Sequence, residues 1–449
     1  MTLNASSDRS AGSTPDVTGP TRVSRIAASS RASQILRIAA EIRALLASGR
    51  PVCNLTVGDF NPREFPAPAA LVAGIAEALR AGETNYPPSG GLLALREAIA
   101  AFYAERLGLD YASDGVLVAG GARPCIYAAF RTLLDPGDAV VFPVPSWNNA
   151  DYCQIVGATP RAVSCTAATG FLPTRAALAP AIRGARLLVL NSPLNPAGTA
   201  LDGSTLGEIC DLVLDENRSR SASERPLFLL YDQVYWMLTL GRVQHVHPVT
   251  VRPEIAPYVI SVDAISKSFA ATGLRVGWVT GPRDVVRHMA DLISHVGAWA
   301  PRPAQVATSH FLAQTAAIDT YQQTMHASLT ARLDAIHRAF VAMRAAGLPV
   351  DAIPPVSTIY ASVRIDLGGL TTPDGRALAT SEDVRRYLLD AAGVAVIPFQ
   401  AFGVGDDQGW FRLSVGAVSM SDLESGLVRL RAAVVALTAP SRATVARGR

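Results

Sequence analysis

The residues best suited to chemistry follow short apolar runs, at the points where predicted strands end. Asp232 comes directly after the run at 227–231, and Lys267 follows the run at 259–263, with Arg275 shortly behind it. In open α/β sheets, ligands bind outside the carboxyl ends of the strands. A carboxylate at the end of a buried strand is unfavourable unless a positive group pairs with it. The spacing therefore predicts an acid, an amine and a guanidinium at one edge of a sheet.

Two further strand ends carry small or amide residues. Glycines at 120–121 follow the run at 116–119 and precede a helical stretch at 124–134, and the start of a helix presents free N–H groups to a phosphate. Residues 191–198 follow the run at 187–190 and read Asn-Ser-Pro-Leu-Asn-Pro-Ala-Gly, turns that fix amide side chains at a strand end. Each feature alone has a structural explanation, since a Gly-Gly pair is often only a turn and a lysine often only reaches solvent. Together, the four strand ends offer what a phosphorylated pyridine aldehyde requires.

The elements that must position these residues alternate along the chain. Apolar runs lie at 116–119, 139–142, 187–190, 227–231, 259–263 and 276–280, with helical stretches between them. Strands that are apolar throughout are typical of a mostly parallel sheet covered by helices on both faces. A long helical stretch follows at 304–346, and then come strand-like residues at 359–365, 394–398 and 410–415 and helix-like residues at 381–391 and 420–437. This last part of the chain predicts a smaller α+β domain.

We predict four segments along the chain. Residues 1–30 are rich in Ser, Thr, Gly, Arg and Ala and lack the apolar core of a secretory signal, so we expect them to be disordered. Residues 31–60 form a helix and an arm that joins the small domain. Residues 61–325 form the large domain, and residues 326–449 form the small C-terminal domain.

Composition argues against several classes of function. The 449 residues carry a net charge of +3 without a block of like charges, which argues against nucleic acid and against an anionic membrane surface as partners. The apolar runs are far shorter than the roughly 20 residues of a membrane helix. Five scattered cysteines without a C-x-x-C pair argue against a disulfide framework and against a metal site. We therefore expect a cytoplasmic protein that acts on small molecules.

Six motifs occur in order along roughly residues 30–437. They are residues 85–91 with Leu95 and Arg96, residues 145–149, residues 191–198, Asp232 with Tyr235, Ser266 and Lys267 with Gly273 and Arg275, and Phe411, Arg412, Ser414 and Gly416. This set resembles the class I and II aminotransferases, a fold-type I family that includes the aspartate aminotransferases. The resemblance implies an α/β fold in which helices sandwich a mostly parallel seven-stranded sheet, with a smaller α+β domain. It also implies a homodimer with shared active sites.

The activity follows from the resemblance as an expectation. Such an enzyme moves the amino group of an L-amino acid to a 2-oxo acid by a ping-pong mechanism, with pyridoxal 5′-phosphate (PLP) held as a Schiff base on Lys267. Aspartate or glutamate as the amino donor is one hypothesis, and it depends on Arg302. Lys267 would also move the substrate proton, which requires that burial beside cations such as Arg275 bring its pKa towards neutrality.

The resemblance assigns four side chains to the cofactor ring. Asp232 pairs with the pyridinium nitrogen and so keeps the ring an electron acceptor. Tyr235 and Asn195 hydrogen-bond the 3-oxygen. Trp147 stacks on the ring, and the alternative is an ordinary core tryptophan.

The cofactor phosphate is assigned to the strand end with the glycine pair. The residues implied are Gly121, Ala122, Arg123, Ser266 and Arg275, the last because a planar guanidinium grips two phosphate oxygens. Tyr86 reaches the phosphate of the neighbouring subunit, which is why a dimer is implied. The chain departs from the family at Ala264, where many relatives carry a phosphate-binding serine, so one contact is lost or replaced.

Substrate binding is assigned to residues that are far apart in the chain. Arg412 binds the α-carboxylate as a bidentate pair, with Asn195 beside it. Gly58 belongs to the arm that closes over the same group. Arg302 is a hypothesis for the side-chain carboxylate of aspartate or glutamate, presented across the dimer.

Two alternative functions stay open at this point. Another fold-type I enzyme, such as a lyase, decarboxylase, racemase or cyclising biosynthetic enzyme, shares the fold and the lysine but breaks a different bond. A non-catalytic protein that senses PLP is disfavoured, because such proteins add a basic DNA-binding module for which the N-terminal segment is too short.

Overall fold

The computed structural model describes residues 22–29 and 33–438 of the chain. The chain divides into two compact units, Met1–Arg31 and Ala32–Arg449. Among its described residues, the first unit contains helix α1 (Arg25–Ser29). Residues 1–21 and 30 of the segment predicted to be disordered lie outside the described residues.

Helices and strands alternate along the second unit. The helices are α2 (Gln34–Ala47), α3 (Ala69–Arg80), α4 (Leu93–Leu107), α5 (Ala122–Leu133), α6 (Asn149–Val156), α7 (Arg175–Ile182), α8 (Gly203–Ser219), α9 (Pro248–Val251), α10 (Ile265–Ser268), α11 (Arg283–Val296), α12 (Arg302–Leu312), α13 (Thr315–Ala345), α14 (Ser381–Ala392) and α15 (Met420–Thr438). The strands are β1 (Cys53–Asn54), β2 (Val116–Ala119), β3 (Ala139–Val144), β4 (Thr159–Ser164), β5 (Leu187–Asn191), β6 (Phe228–Asp232), β7 (Val259–Ala264), β8 (Gly277–Thr280), β9 (Val350–Ala352), β10 (Tyr360–Ile365), β11 (Val394–Ala395), β12 (Ile397–Pro398) and β13 (Trp410–Ser414).

A seven-stranded sheet forms the centre of this unit, in the order β2-β8-β7-β6-β5-β3-β4. Neighbouring strands are parallel except for β8, which runs antiparallel to β2 and β7. Leu187 and Val189 of β5 pack in one hydrophobic cluster with α5 and α11, and Leu188 and Leu190 pack in another with α7 and α8. Since successive side chains of a strand point to opposite faces, helices cover both faces of the sheet. The predicted fold class is confirmed.

A second sheet of four antiparallel strands has the order β12-β13-β10-β9, and its core includes α13, α14 and α15. The arm is tied to this part of the chain, because β1 pairs in parallel with β11. Helix α13 runs through the predicted boundary between residues 325 and 326, and the domain boundaries stay a prediction. Within residues 22–29 and 33–438, no helix has both the length and the apolar character needed to cross a membrane.

Several elements differ from the sequence-based expectation, among them the short strands β1 and β9, which the sequence does not predict. The sequence predicts no strand at β4, because its residues TPRAVS do not form an apolar run and include Pro160. In the structure most of these residues are exposed. Pro160 is tolerated because β4 lies at the edge of the sheet. The helical stretch predicted at 304–346 is two helices, since Gln314 between them has a non-helical ψ of 64°. The strand predicted at 394–398 is divided between two sheets, because β11 pairs with β1 and β12 pairs with β13.

Candidate active site

Asp232 and Lys267 come from neighbouring strands of the central sheet. Asp232 is the last residue of β6, and Lys267 lies in the short helix α10, which follows β7 directly. β6 and β7 are parallel partners, so their carboxyl ends bring the acid and the amine to the same edge of the sheet. Both side chains are half-buried, and their charges interact.

Burial moves the pKa of each group towards neutrality. It raises the pKa of Asp232 to about 6, although the charge of Lys267 opposes the change. It lowers the pKa of Lys267 to about 8, against the opposing charge of Asp59. Three cations lower the pKa of Lys267 further, namely Arg412, Arg123 and Arg275. The amine therefore has the near-neutral pKa that acid–base chemistry requires.

A second buried acid, Asp263 of β7, has a different environment. Its carboxylate accepts hydrogen bonds from the Tyr103 hydroxyl at 2.8 Å, from Trp236 Nε1 at 2.7 Å and from the next backbone amide at 2.7 Å. Burial raises the pKa of Asp263 to about 7. The Asp232 carboxylate accepts the Val234 amide at 3.2 Å and has lone pairs left for a ligand. Of the two acids, Asp232 is the one open to a ligand.

The arm that follows β1 passes over Lys267. The Lys267 ammonium donates to the Gly58 carbonyl at 2.6 Å, and the Thr272 hydroxyl donates to Asp59 Oδ1 at 2.6 Å. A Cβ added at Gly58 would lie 3.9 Å from Arg412 Nη1. Gly58 thus lies beside both the amine and the guanidinium.

The loop between β2 and α5 is built around Arg275. Gly121 caps α5 with a φ of 98°, and a Cβ added to it would lie 2.2 Å from Arg275 Nη2. Arg275 Nη2 donates to the Gly120 carbonyl at 3.0 Å. The Gly121 amide is already hydrogen-bonded, since it donates to the Ala119 carbonyl at 2.7 Å. Ala122 and Arg123 begin α5, where the amides have no intrahelical acceptor, so these two are the amides available to an anion.

Arg412 is a buried cation without a counter-ion. It lies in β13, is 1% exposed, and donates from Nη1 to Asn195 Oδ1 at 3.1 Å and from Nη2 to the Thr56 carbonyl at 2.7 Å. Its buried Nε has no hydrogen-bond partner. In the part of the chain that the structure describes, no carboxylate forms a salt bridge with it. Because a buried charge without a partner is costly, this guanidinium is suited to bind an anion.

The Asn195 side chain is oriented by the loop that follows β5. The backbone amide of Asn195 donates to Asn191 Oδ1 at 2.8 Å, and Asn191 Nδ2 donates to the backbone carbonyl of Asp232 at 2.9 Å. These bonds attach the loop to the end of β6. Tyr235, just beyond the same strand, is buried, and burial raises its pKa well above the usual value. Its hydroxyl lies 2.8 Å from that of Tyr360.

Trp147 and Ser266 also lie at strand ends, after β3 and β7 respectively. Trp147 is half-buried, and the Arg123 guanidinium lies 5.2 Å from the centre of its indole ring. Ser266 is buried in α10, next to Lys267. Arg123 itself is exposed, so the cation beside the Trp147 ring is accessible to solvent in the single chain.

Tyr86 and Arg302 have different surroundings. Tyr86 is 81% exposed, and its ring makes an edge contact with Trp299, with the ring centroids 5.2 Å apart. Arg302 begins α12 and forms an ion pair with Glu83 of the same chain. The contacts that the sequence predicts for these two residues involve a second subunit.

No spacing in the sequence points to Tyr360, Thr272 or Thr56 as parts of the site. Tyr360 is 125 residues from its partner Tyr235, and the contact depends on how two sheets pack. Asp59 directly follows Gly58, but its effect on Lys267 depends on the path of the arm. Only the arrangement of the arm and the second sheet reveals these residues.

The chain is similar to known proteins along most of its length. Residues 50–430 match the family model described as aminotransferase class I and II. The chain is 30% identical over 436 residues to an aspartate aminotransferase of Rhizobium meliloti (strain 1021), which covers 96% of this chain and 99% of that protein. It is 33% identical to an aspartate aminotransferase of Streptomyces avermitilis, over 89% of this chain and 93% of the relative.

Solved structures give the same result. The crystal structure of the aspartate aminotransferase from Rhizobium meliloti matches with a TM-score of 0.85 at 29% identity, covering 93% of this chain and all of that one. An aspartate aminotransferase from Thermus thermophilus with maleate matches with a TM-score of 0.81 at 25% identity, covering 92% of this chain and all of that one.

Proposed function

Because this chain belongs to the class I and II aminotransferases and is therefore an aminotransferase, we propose that it works with PLP bound covalently to Lys267. Its substrates in this proposal are an L-amino acid and a 2-oxo acid, which react in turn. The observation that carries the proposal is the pair of opposite charges at neighbouring strand ends, Lys267 and Asp232, which interact without forming a salt bridge in the described part of the chain.

The residues present fit the phosphate of PLP. The Cβ that Gly121 lacks would overlap the Arg275 guanidinium, so only glycine lets the loop approach this cation so closely. The amides of Ala122 and Arg123 and the positive end of the α5 dipole face the same loop. Together with the Ser266 hydroxyl, these groups would hold the phosphate. The phosphate contact that many relatives make with a serine would be absent here, because this chain has Ala264 at that position.

The ring of PLP would be held by four residues from three strand ends, those of β3, β5 and β6. Asp232 would accept a hydrogen bond from the protonated ring nitrogen, and Tyr235 and Asn195 would bind the 3-oxygen. Trp147 would pack against the ring. When bound, PLP supplies a conjugated ring that accepts the electrons released from the substrate Cα.

Lys267 would act as the acid–base group once the substrate amine has displaced it from the cofactor. With a pKa of about 8, roughly a tenth to a fifth of the amine is neutral near physiological pH, so Nζ could accept the proton from the substrate Cα and pass it to the aldehyde carbon of the cofactor. The Gly58 carbonyl, 2.6 Å from Nζ, orients the amine from the side of the arm. A lysine with an ordinary pKa would remain protonated and would not serve as a base.

Arg412 would bind the substrate α-carboxylate. Its Nε is free, and the Asn195 oxygen and the Thr56 carbonyl fix the plane of the guanidinium. A bidentate pair orients the substrate and so determines which bond at Cα is aligned with the cofactor ring. With the carboxylate held by Arg412, the Cα–H bond is the one that this proposal aligns for cleavage.

We propose aspartate or glutamate as the amino donor, because the relatives that match over most of the chain are named aspartate aminotransferases. Arg302 is the candidate for the side-chain carboxylate, and an incoming carboxylate would have to compete with Glu83 for it. If it does, Arg302→Ala should lower the ratio of activity on aspartate to activity on alanine by one or two powers of ten. An unchanged ratio would remove Arg302 from the site.

A panel of amino donors added to the purified holoenzyme tests the proposed function. Without any 2-oxo acid, one amino acid should convert the absorbance of the bound cofactor stoichiometrically and release one equivalent of 2-oxo acid. A lyase would instead return to its starting absorbance. Asp232→Asn, which preserves size and removes the charge, is the matched control and should slow the conversion by several orders of magnitude.

A further inference from the structure

Tyr360 connects three residues that have roles in the proposed site. It is the first residue of β10 and is 1% exposed. Its hydroxyl lies 2.8 Å from the Tyr235 hydroxyl, and the Arg412 guanidinium lies 4.4 Å from the centre of its ring. A Cβ on Gly58 would lie 2.7 Å from the same hydroxyl, so the arm passes close to it. Tyr360 thus lies between the carboxylate site and the cofactor site.

The direction of the tyrosine hydrogen bond follows from the number of protons. Each phenol has one hydrogen to donate. If Tyr235 donates to the cofactor 3-oxygen, its own oxygen must accept a hydrogen bond from Tyr360. The two hydroxyls then form a relay that points at the 3-oxygen, and a hydroxyl that accepts a hydrogen bond becomes a better donor.

We propose that Tyr360 is a positioning residue with two separable parts: its hydroxyl strengthens the Tyr235 hydrogen bond to the cofactor 3-oxygen, and its ring supports the Arg412 guanidinium. This inference rests on the proposed function. The ring provides a face for the cation, an interaction that is strongest where water is excluded. The hydroxyl acts on the cofactor only through Tyr235.

The relay affects the pH at which the nitrogen joining Lys267 to the cofactor loses its proton. While that nitrogen is protonated, its N–H would help to stabilise the negative charge of the 3-oxygen. Without that proton, the Tyr235 hydroxyl would carry more of this stabilisation. Weakening this donor therefore disfavours the deprotonated form and raises the pH of the transition.

The test compares the wild-type holoenzyme with Tyr360→Phe and Tyr360→Leu. For Tyr360→Phe, we expect the absorbance titration of the bound cofactor to move upward by roughly half to one pH unit, the effect of one lost hydrogen bond. The Kd of maleate, measured by calorimetry, should stay within about twofold, because the ring remains. Tyr360→Leu should shift the titration and also weaken maleate binding by roughly five- to thirtyfold.

Two controls separate the relay from a general loss of structure. Tyr387→Phe removes another buried hydroxyl, which donates to the Ala433 carbonyl at 2.8 Å, and it should leave the titration unchanged. In a Tyr235→Phe background, adding Tyr360→Phe should cause no further shift, because the acceptor of the relay is gone. This second comparison uses two further variants, so it does not depend on Tyr360→Phe alone.

The outcomes are distinct. Three results would overturn the relay while leaving the proposed function intact. The titration of Tyr360→Phe could equal that of the wild type, or Tyr387→Phe could show the same shift as Tyr360→Phe. The third result is a shift caused by Tyr360→Phe that persists in the Tyr235→Phe background. Unchanged maleate affinity in Tyr360→Leu would overturn the role of the ring. A wild-type protein that takes up no PLP would overturn the proposed function, and this inference with it.

Discussion

At the scale of single residues, the site contains charges that the ligand-free protein stabilises poorly. Lys267 is held at a pKa of about 8 chiefly by burial, and Arg412 is buried without a salt bridge to any acid of residues 22–29 and 33–438. A charge that is removed from water without a partner lowers stability. These residues therefore reduce the stability of the ligand-free fold, a common trade-off at functional sites.

The lowered pKa of Lys267 predicts how stability depends on pH. Between about pH 8 and 10.5, the unfolded chain holds a proton on this amine that the folded chain has released, so stability rises with pH in that window. Lys267→Met should remove this rise and stabilise the cofactor-free protein at pH 7 by at most about 3 kcal/mol. Urea denaturation of both proteins at pH 7 and pH 10 measures the difference. A gap between the two proteins that is the same at both pH values would contradict the prediction.

Arg412 supports a prediction about substrate affinity. Lysine keeps the charge but cannot form a bidentate pair with a carboxylate. Arg412→Lys should therefore lower kcat/KM for both the amino acid and the 2-oxo acid by about two orders of magnitude, while the affinity for PLP changes little. Steady-state kinetics with each substrate varied gives the answer. Equal kcat/KM values in the variant and the wild type would exclude Arg412 from the carboxylate site.

The sequence alone predicted the residues at strand ends better than the contacts among them. Lys267, Asp232 and Asn195 follow apolar runs that are strands in the structure, and strand ends of a parallel sheet meet at one edge. The sequence did not predict Tyr360 as part of the site, because its contact with Tyr235 depends on how two different sheets pack. The hydrogen bond between the Gly121 amide and the Ala119 carbonyl was equally inaccessible, since it depends on the local turn.

Among the elements, the loop between β2 and α5, which we propose holds the cofactor phosphate, depends on the close approach of β8 to the start of α5. A Cβ added at Gly277 of β8 would lie 2.4 Å from the Gly121 carbonyl carbon and 2.5 Å from the Ala122 nitrogen. These are backbone atoms, so the loop itself would have to move. The position of the loop is therefore set by a glycine in a different strand.

Gly277→Ala should consequently weaken PLP binding by ten- to a hundredfold, because the displaced backbone amides of Ala122 and Arg123 would no longer point at the phosphate. Gly273→Ala is the matched control, because nothing lies within 4 Å of a Cβ at that position. Equilibrium titration of the cofactor-free proteins with PLP compares them. Equal affinities in the two variants would show that the loop does not depend on the glycine in β8.

Element boundaries show where pattern alone is insufficient. The apolar runs of the central sheet were predictable because buried parallel strands are apolar throughout. Edge strand β4 was not predictable, because exposure on the sheet edge lets it carry polar residues and Pro160. The break between α12 and α13 depends on the backbone at Gln314, which no proline or glycine marks.

At the scale of the whole molecule, the exposed Tyr86 is the residue that would link two subunits. Its side chain is 81% exposed, although tyrosine has a large apolar ring. If Tyr86 contacts the phosphate in a second subunit, each site of a homodimer is shared. A dimer would then bury a residue that the single chain leaves open.

Hybrid dimers test this arrangement. Dimers of Lys267→Ala should be inactive, and dimers of Tyr86→Phe should lose activity at limiting PLP. Co-expression of the two variants should restore activity at limiting PLP, because a hybrid contains one site with both Lys267 and the Tyr86 of the other chain. Activity no higher than that of the Tyr86→Phe protein alone would argue against shared sites.

Lys267 is the only lysine among the 449 residues, so chemical reduction can fix the cofactor to only one lysine side chain. The holoenzyme is reduced with borohydride, digested and examined by mass spectrometry. We expect one phosphopyridoxyl group per chain, found on the peptide that contains Lys267, and we expect prior addition of an effective amino donor to abolish it. Reduced protein that carries no such group, or carries it only on the N-terminal amine, would contradict the assignment of Lys267 as the residue that binds the cofactor.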